Sequence, residues 1–140
     1  MDFVVLDTNV IVSALRSRRG ASFAILSSIG REWVPLISVP LILEYEAVGK
    51  RQAELLKIPE ATVEAIIRAC CFFGREPDIH FRLRPFLPDP GDEFLLELAV
   101  AGRASAIVTH NVRHFVGVER LGIQVMTPRE FLKTIEREGT

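Results

Sequence analysis

The sequence predicts an α/β fold: a central parallel sheet with helices on both of its sides. Three observations carry that expectation. Short apolar runs alternate with longer stretches whose apolar residues recur three and four positions apart. That alternation is what parallel strands joined by helical crossovers produce. The opening stretch, FVVLDTNVIVSAL at residues 3–15, changes from one pattern to the other around a single carboxylate, Asp7. A later apolar run at residues 105–108 also ends in small polar residues, Thr109, His110 and Asn111.

Residues 3–6 form an unbroken apolar run, too short for a helix and containing β-branched valines, as expected of a strand buried on both faces. From Val10 the spacing changes, because Val10 with Ala14 and Ile11 with Leu15 are helix neighbours. Asp7 therefore stands at the C-terminal end of a strand, the edge where open α/β sheets bind ligands. On its own, Asp-Thr-Asn would read as a helix cap. This helix should stop near residues 16–20, RSRRG. Arg16, Arg18 and Arg19 there suit either a solvated helix C-terminus or a small phosphate-binding patch. Residues 21–29 follow as a second helical segment, and residues 33–37 as a short strand containing Pro35.

Ser38 is placed to cap the next helix, with Pro40 in its first turn. The helix neighbours of Glu44 are Pro40, Leu41, Ala47 and Val48, so this acid lies on an apolar, inward face. An unpaired carboxylate is costly to bury. Either a buried arginine or a divalent metal must compensate it. Glu46 is instead an exposed partner for Lys50, four residues on. Residues 59–71 carry a helical pattern through Val63, Ile66, Ile67, Cys70 and Cys71, with Pro59 in the first turn. Residues 75–81 are expected to hold a short strand.

A proline-rich loop, LRPFLPDPGD, then feeds a helix from Asp92 to about Val100. Asp89 has the position of its N-cap and Pro90 that of its first residue. Asp92 shares a face with Leu95, Leu96 and Ala99, so it is another acid aimed inward. Glu93, beside it, is expected on the solvent side. After the strand at 105–108, residues 113–115 form a loop or short turn, and His110 and His114 read as loop residues. Residues 124–126 form the last strand. Thr127-Pro128-Arg129-Glu130 is a capping box that opens a closing helix to about Glu136.

Bulk properties narrow the function. The 140 residues suit one domain, 1–140, with a proper core. Net charge is −1, from 17 Lys+Arg against 18 Asp+Glu, so a grip on nucleic acid by bulk charge is excluded. Any such contact must rest on a local cluster or a metal. No apolar stretch approaches the roughly 18 residues of a membrane span. The N-terminus carries no basic stretch before its apolar run, which argues against a signal peptide. Cys70 and Cys71 are read as reduced core residues, and the expected location is cytoplasmic.

The sheet edge should carry Asp7 and Asn111, with Glu44 and Asp92 pointing in from helices. Three carboxylates that converge without a thiol or a base call for a hard divalent cation, and oxygen ligands select Mg²⁺ or Mn²⁺. No Cys/His spacing suggests zinc, and the sequence has no GxGxxG, GxxxxGK[ST] or GxSxG.

With these residues in place, the chain resembles the PIN-domain family, of the kind found as ribonuclease toxins in toxin–antitoxin pairs. VVLDTNVIVSAL matches the family's opening. ISVPLILEYEAV matches its second block and puts the second acid at Glu44. DPGDEFLLELAVAGRASAIVTHNVRHF matches the third and puts the third acid at Asp92. The resemblance spans nearly the whole chain. It implies a three-layer α/β/α sandwich with a central parallel sheet, a Mg²⁺ or Mn²⁺ site, and cleavage of single-stranded RNA. Asp7, Glu44 and Asp92 would be catalytic and, with Asn111, hold the metal. Thr8, Asn9 and Thr109 would orient those ligands or their waters. Open coordination positions would take water and a phosphate oxygen, for in-line attack. Arg16, Arg18, Arg19 and Arg113 are the candidate RNA contacts, and a cognate antitoxin protein is the implied partner; a homodimer is compatible with this. Asn111 departs from the family, many of whose members have aspartate there.

Two other readings stay open. One is a metal-dependent phosphohydrolase acting on small substrates; Asn9, where a haloacid-dehalogenase-type enzyme would have a second aspartate, argues against it. The other is a non-catalytic PIN-fold module that binds RNA or protein, which the neutral Asn111 favours.

Overall fold

The computed structural model describes residues 2–80 and 84–138. At its centre lies a four-stranded sheet, every pairing parallel, in the order β2-β1-β3-β4. The strands are β1 (Asp2–Leu6), β2 (Trp33–Pro35), β3 (Ala106–Val108) and β4 (Gln124–Met126). β1 and β3 are central, and Val4, Val5, Leu6, Ile107 and Val108 are fully buried. Their unbroken apolar sequence is what burial on both faces requires.

Six helices are described: α1 (Thr8–Arg16), α2 (Ala21–Ser27), α3 (Val39–Leu56), α4 (Glu60–Phe73), α5 (Glu93–Ala101) and α6 (Pro128–Glu138). The chain leaves β1 through α1 and α2 to reach β2, then returns across β1 through α3, α4 and α5 to reach β3. Parallel crossovers are right-handed, so these opposite directions put α1 and α2 on one face and α5 on the other. α6 packs on α2, and α5 packs on β1 and β3. The result is the three-layer sandwich expected from the sequence.

Side chains explain the seams. Trp33 meets Phe131 of α6 edge-to-face, with ring centroids 5.6 Å apart. The Trp33 indole N–H donates to Ser28 Oγ at 2.9 Å, which satisfies its polar end. On α3, a Cβ at Gly49 would sit 2.8 Å from Val63 Cγ1, so glycine lets α3 and α4 close on each other. Ser38 caps α3, its hydroxyl accepting from the Leu41 N–H at 3.3 Å. The capping box of α6 forms in both directions: Thr127 N–H donates to Glu130 Oε1 at 3.0 Å, and Glu130 N–H to Thr127 Oγ1 at 3.2 Å. The hydrogen bonds that the Glu130 carboxyl receives from Thr127, its backbone N–H first, hold it below its usual range.

Some expectations need correction. Cys70 is buried, but Cys71 is exposed. Adjacent helix residues point about 100° apart, so only one of the pair can face the core. Arg75 makes a single bridge with Leu36 and residues 76–80 form no strand, while Phe81 lies outside the described residues. Pro77 there has no N–H to give a ladder. Pro59 is the N-cap of α4 rather than a residue of its first turn.

Register positions the functional edge. Leu6 pairs with Val108, and Val108 with Met126. The ladder runs on past these residues, Asp7 N–H donating to Val108 O and Thr109 N–H to Met126 O, each at 2.9 Å. Asp7 and Thr109 thus leave neighbouring strands at the same level.

Candidate active site

Asp7 occupies the N-cap position of α1, yet its carboxylate caps no backbone N–H. Instead Asp7 Oδ2 accepts from the Thr109 hydroxyl at 2.8 Å and, at 3.4 Å, from Asn9 Nδ2. Thr109 is fully buried, and its oxygen also accepts from the Asn111 N–H at 3.0 Å and from Asn9 Nδ2 at 3.3 Å. Asn9 Oδ1 takes the His110 N–H at 3.2 Å. The turns after β1 and β3 are laced together by these bonds, and Asp7 is oriented by them.

Glu44 comes from the middle of α3. Its Oε2 accepts the Thr8 hydroxyl, and no lysine or arginine among the described residues pairs with it. The next residue, Tyr45, is fully buried and donates its hydroxyl to the Leu6 carbonyl, pinning α3 to the end of β1. Burial, with the charges of Cys70, Asp7 and Glu44 adding to it, pushes the Tyr45 phenol well up, so it stays protonated as a donor. Asp7, Glu44 and Asn111 line one open cleft of about 570 Å³, together with Thr8, Asn9 and Arg16.

Asp92 is not on the wall of that cleft. It ends a 3₁₀ turn, Pro90–Asp92, just before α5, and belongs to a neighbouring group with Asp89 and His114. One ligand atom from each of the three lies within 4.8 Å of the others. The Asp92 carboxyl is pushed above its usual range by burial first, then by the charges of Asp7 and Asp89, against the opposing influence of His114. His114 Nδ1 stands 3.4 Å from Asp92 Oδ2. That oxygen is buried and accepts no hydrogen bond among the described residues. The influence of Asp7 on Asp92 makes the two groups electrostatic neighbours. Asp89 acts as the cap it was expected to be, its Oδ1 taking the Gly91 N–H at 2.8 Å.

Glu93 reverses its expected exposure: it is 2% exposed. Its Oε1 accepts the N–H groups of Phe86 and Leu87 at 2.9 and 3.0 Å, tying down the loop before α5. Glu93 lies within α5, where Leu95 to Ala99 are all buried, so the helix is covered on nearly every side and leaves Glu93 no solvent face.

Of the candidate RNA contacts, Arg16 lines the cleft and reaches Gln52 Oε1 at 3.5 Å. Arg18 and Arg19 are exposed in the turn after α1, and Arg113 is exposed in the 3₁₀ turn Val112–Phe115. Sequence reasoning missed the contact between His110 Nε2 and Ser13 Oγ at 2.8 Å on the cleft wall. The available signal was helical: Asn9, Ser13 and Arg16 lie four and three residues apart, on one face of α1.

The donor set fits a hard dication. Carboxylate and amide oxygens face the cleft, no thiolate joins them, and Asp92 holds a buried oxygen met by His114 Nδ1 at 3.4 Å.

Comparison with known proteins bears on the fold and the family. No curated protein sequence matches the chain. Among solved structures the chain is similar to VapBC2 from Rickettsia felis, crystallised bound to a DNA fragment from their promoter. The TM-score is 0.56 at 14% identity, over 88% of this chain and 96% of that one, a likeness of fold. The family profile described as PIN domain matches residues 3–113, from β1 through Asn111 and Arg113. The chain belongs to the PIN-domain family.

Proposed function

We propose that the protein is a divalent-metal-dependent endoribonuclease that cleaves single-stranded RNA and serves as the toxin of a toxin–antitoxin pair. The observation that carries the nuclease reading is the Asp7 carboxylate, released from helix capping and set with Glu44 and Asn111 on one open cleft. The toxin reading, with its antitoxin partner, rests on the three sequence blocks that resemble such PIN domains.

Asp7, Glu44 and Asp92 would hold Mg²⁺ or Mn²⁺, with the Asn111 carbonyl as a neutral fourth donor. The cation, when bound, supplies Lewis-acid activation of water and neutralises charge developing on the phosphate. The chain's own residues do the rest. Thr109 and Asn9 orient Asp7, Thr8 orients Glu44, and Arg16 gives the cleft a cation for a phosphate oxygen.

Labelled single-stranded RNA incubated with purified protein in Mn²⁺ or Mg²⁺, and again with chelator, tests the proposal. Cleavage that needs the metal is the expected result. RNA bound but uncleaved in either metal would instead favour the non-catalytic module, for which the uncharged Asn111 is the motivating residue.

A further inference from the structure

A second cavity, of about 430 Å³, adjoins the Asp7 cleft; the two share Ser13, Arg16 and His110 as a common wall. Its far side is the start of α6, Thr127, Pro128 and Arg129. The chain has 18 Asp+Glu against 17 Lys+Arg, yet no carboxylate lines this cavity, while Arg16, Arg129 and His110 do. The nearest acid in sequence, Glu130, is occupied by the capping box with Thr127. An acidic cleft and a carboxylate-free basic cavity therefore lie side by side.

We infer that this second cavity receives the nucleotide next to the scissile phosphate of a single-stranded RNA, with that nucleotide's phosphate held by Arg16 and Arg129. The inference rests on the nuclease reading and extends it by a binding subsite. A strand of phosphates is repelled by carboxylates wherever no cation meets it. A site that works on one phosphodiester must therefore hold the neighbouring one elsewhere. Arginine does this by bidentate hydrogen bonds to phosphate oxygens. Arg129 also stands in the first turn of α6, where the helix dipole favours an anion. The cavity's volume lies within the usual range for small-ligand sites, about 300–1,000 Å³. Ala21 and Pro128 on its walls offer small apolar surface for a sugar or base. The motif blocks pass over Arg129, which lies beyond the third of them.

The test is binding of a labelled single-stranded RNA oligonucleotide in Mg²⁺ at several salt concentrations. Every protein carries Asp7→Asn so that the strand stays intact. Arg129→Ala should weaken binding roughly tenfold and reduce the salt slope by about 0.7, the value for one lost phosphate contact on a single strand. Arg129→Lys should recover part of both. Arg103→Ala removes the same charge just before β3, at the other end of the sheet, and should change neither. Equal affinity and slope for Arg129→Ala and its parent would overturn the subsite while leaving the nuclease reading standing. Failure of the unsubstituted protein to cleave RNA, with the Asp7→Asn parent failing to bind it, would overturn both.

Discussion

The Thr109 hydroxyl donates to Asp7 Oδ2 at 2.8 Å, joining the ends of β3 and β1 through side chains as the sheet joins them through backbone. The Thr109 hydroxyl oxygen in turn accepts the Asn111 N–H. Thr109→Val keeps the shape but strips these two interactions, and the one accepted from Asn9 Nδ2, from a fully buried position. The loss should be about 1–3 kcal/mol in denaturant unfolding. Metal affinity should fall about 10- to 100-fold in a calorimetric titration, as for other groups that orient a ligand. Unchanged affinity would show that Asp7 needs no help from Thr109.

Asp7→Asn and Asp92→Asn should each abolish metal-dependent RNA cleavage while leaving the circular dichroism spectrum intact. Asp7→Asn can still accept from Thr109, so its fold should be the less disturbed of the two. Asp92→Asn is the sharper test, because Asp92 stands off the cleft wall beside Asp89 and His114. Full cleavage by purified Asp92→Asn would confine the chemistry to the cleft that holds Asp7 and Glu44.

The raised Asp92 carboxyl gives a pH signature. An acid with a raised folded pKa binds its proton more tightly in the folded state. Its contribution to stability is then fully present below the unfolded pKa and is lost as pH rises through the folded one. Metal-free protein should lose stability across that window, and Asp92→Asn should flatten this part of the profile. Adding Mg²⁺ or Mn²⁺ at about a hundred times its Kd should return roughly 2.7 kcal/mol at neutral pH. A melting temperature indifferent to millimolar metal would count against a cation shared by these acids.

Sequence periodicity made the sheet legible. β1 and β3 hold apolar runs bounded by polar residues, and the parallel pairing of β1 and β2 fits the helices between them. Asp7 was legible for the same reason, since it breaks such a run at its C-terminal end. Glu44 was expected on the inward face of its helix, but the buried stripe of α3 is Leu41, Tyr45, Gly49 and Ala53; Glu44 is half-buried beside it, Pro40 and Ala47 are exposed, and its partner, the Thr8 hydroxyl, is 36 residues away and leaves no local trace. Glu93 was misread because a charged residue was expected to face solvent, whereas α5 is buried on nearly every side and Glu93 is tied to the Phe86 and Leu87 N–H groups. The grouping of Asp92 with Asp89 and His114 was not legible either, because His114 follows β3 in a stretch read only as a loop.

Asn111 lines the cleft with Asp7 and Glu44 and is exposed there, its backbone fixed by the Thr109 oxygen. A neutral amide at this corner leaves Asp7, Glu44 and Asp92 as the charged donors, enough for one dication and poor for two. The expectation is one firmly bound metal, with any second arriving alongside an RNA phosphate. Asn111→Asp should tighten metal binding on the order of tenfold, equivalent to about 1.4 kcal/mol. The added carboxylate attracts the dication and costs repulsion only while the site is empty. Such repulsion should also lower the melting temperature of metal-free Asn111→Asp relative to the unsubstituted protein, and metal should reverse the order. Titrating Mn²⁺ into both proteins without RNA measures affinity and stoichiometry directly. Equal values for the two would place residue 111 beyond the metal's reach and leave the cation to Asp7, Glu44 and Asp92 alone.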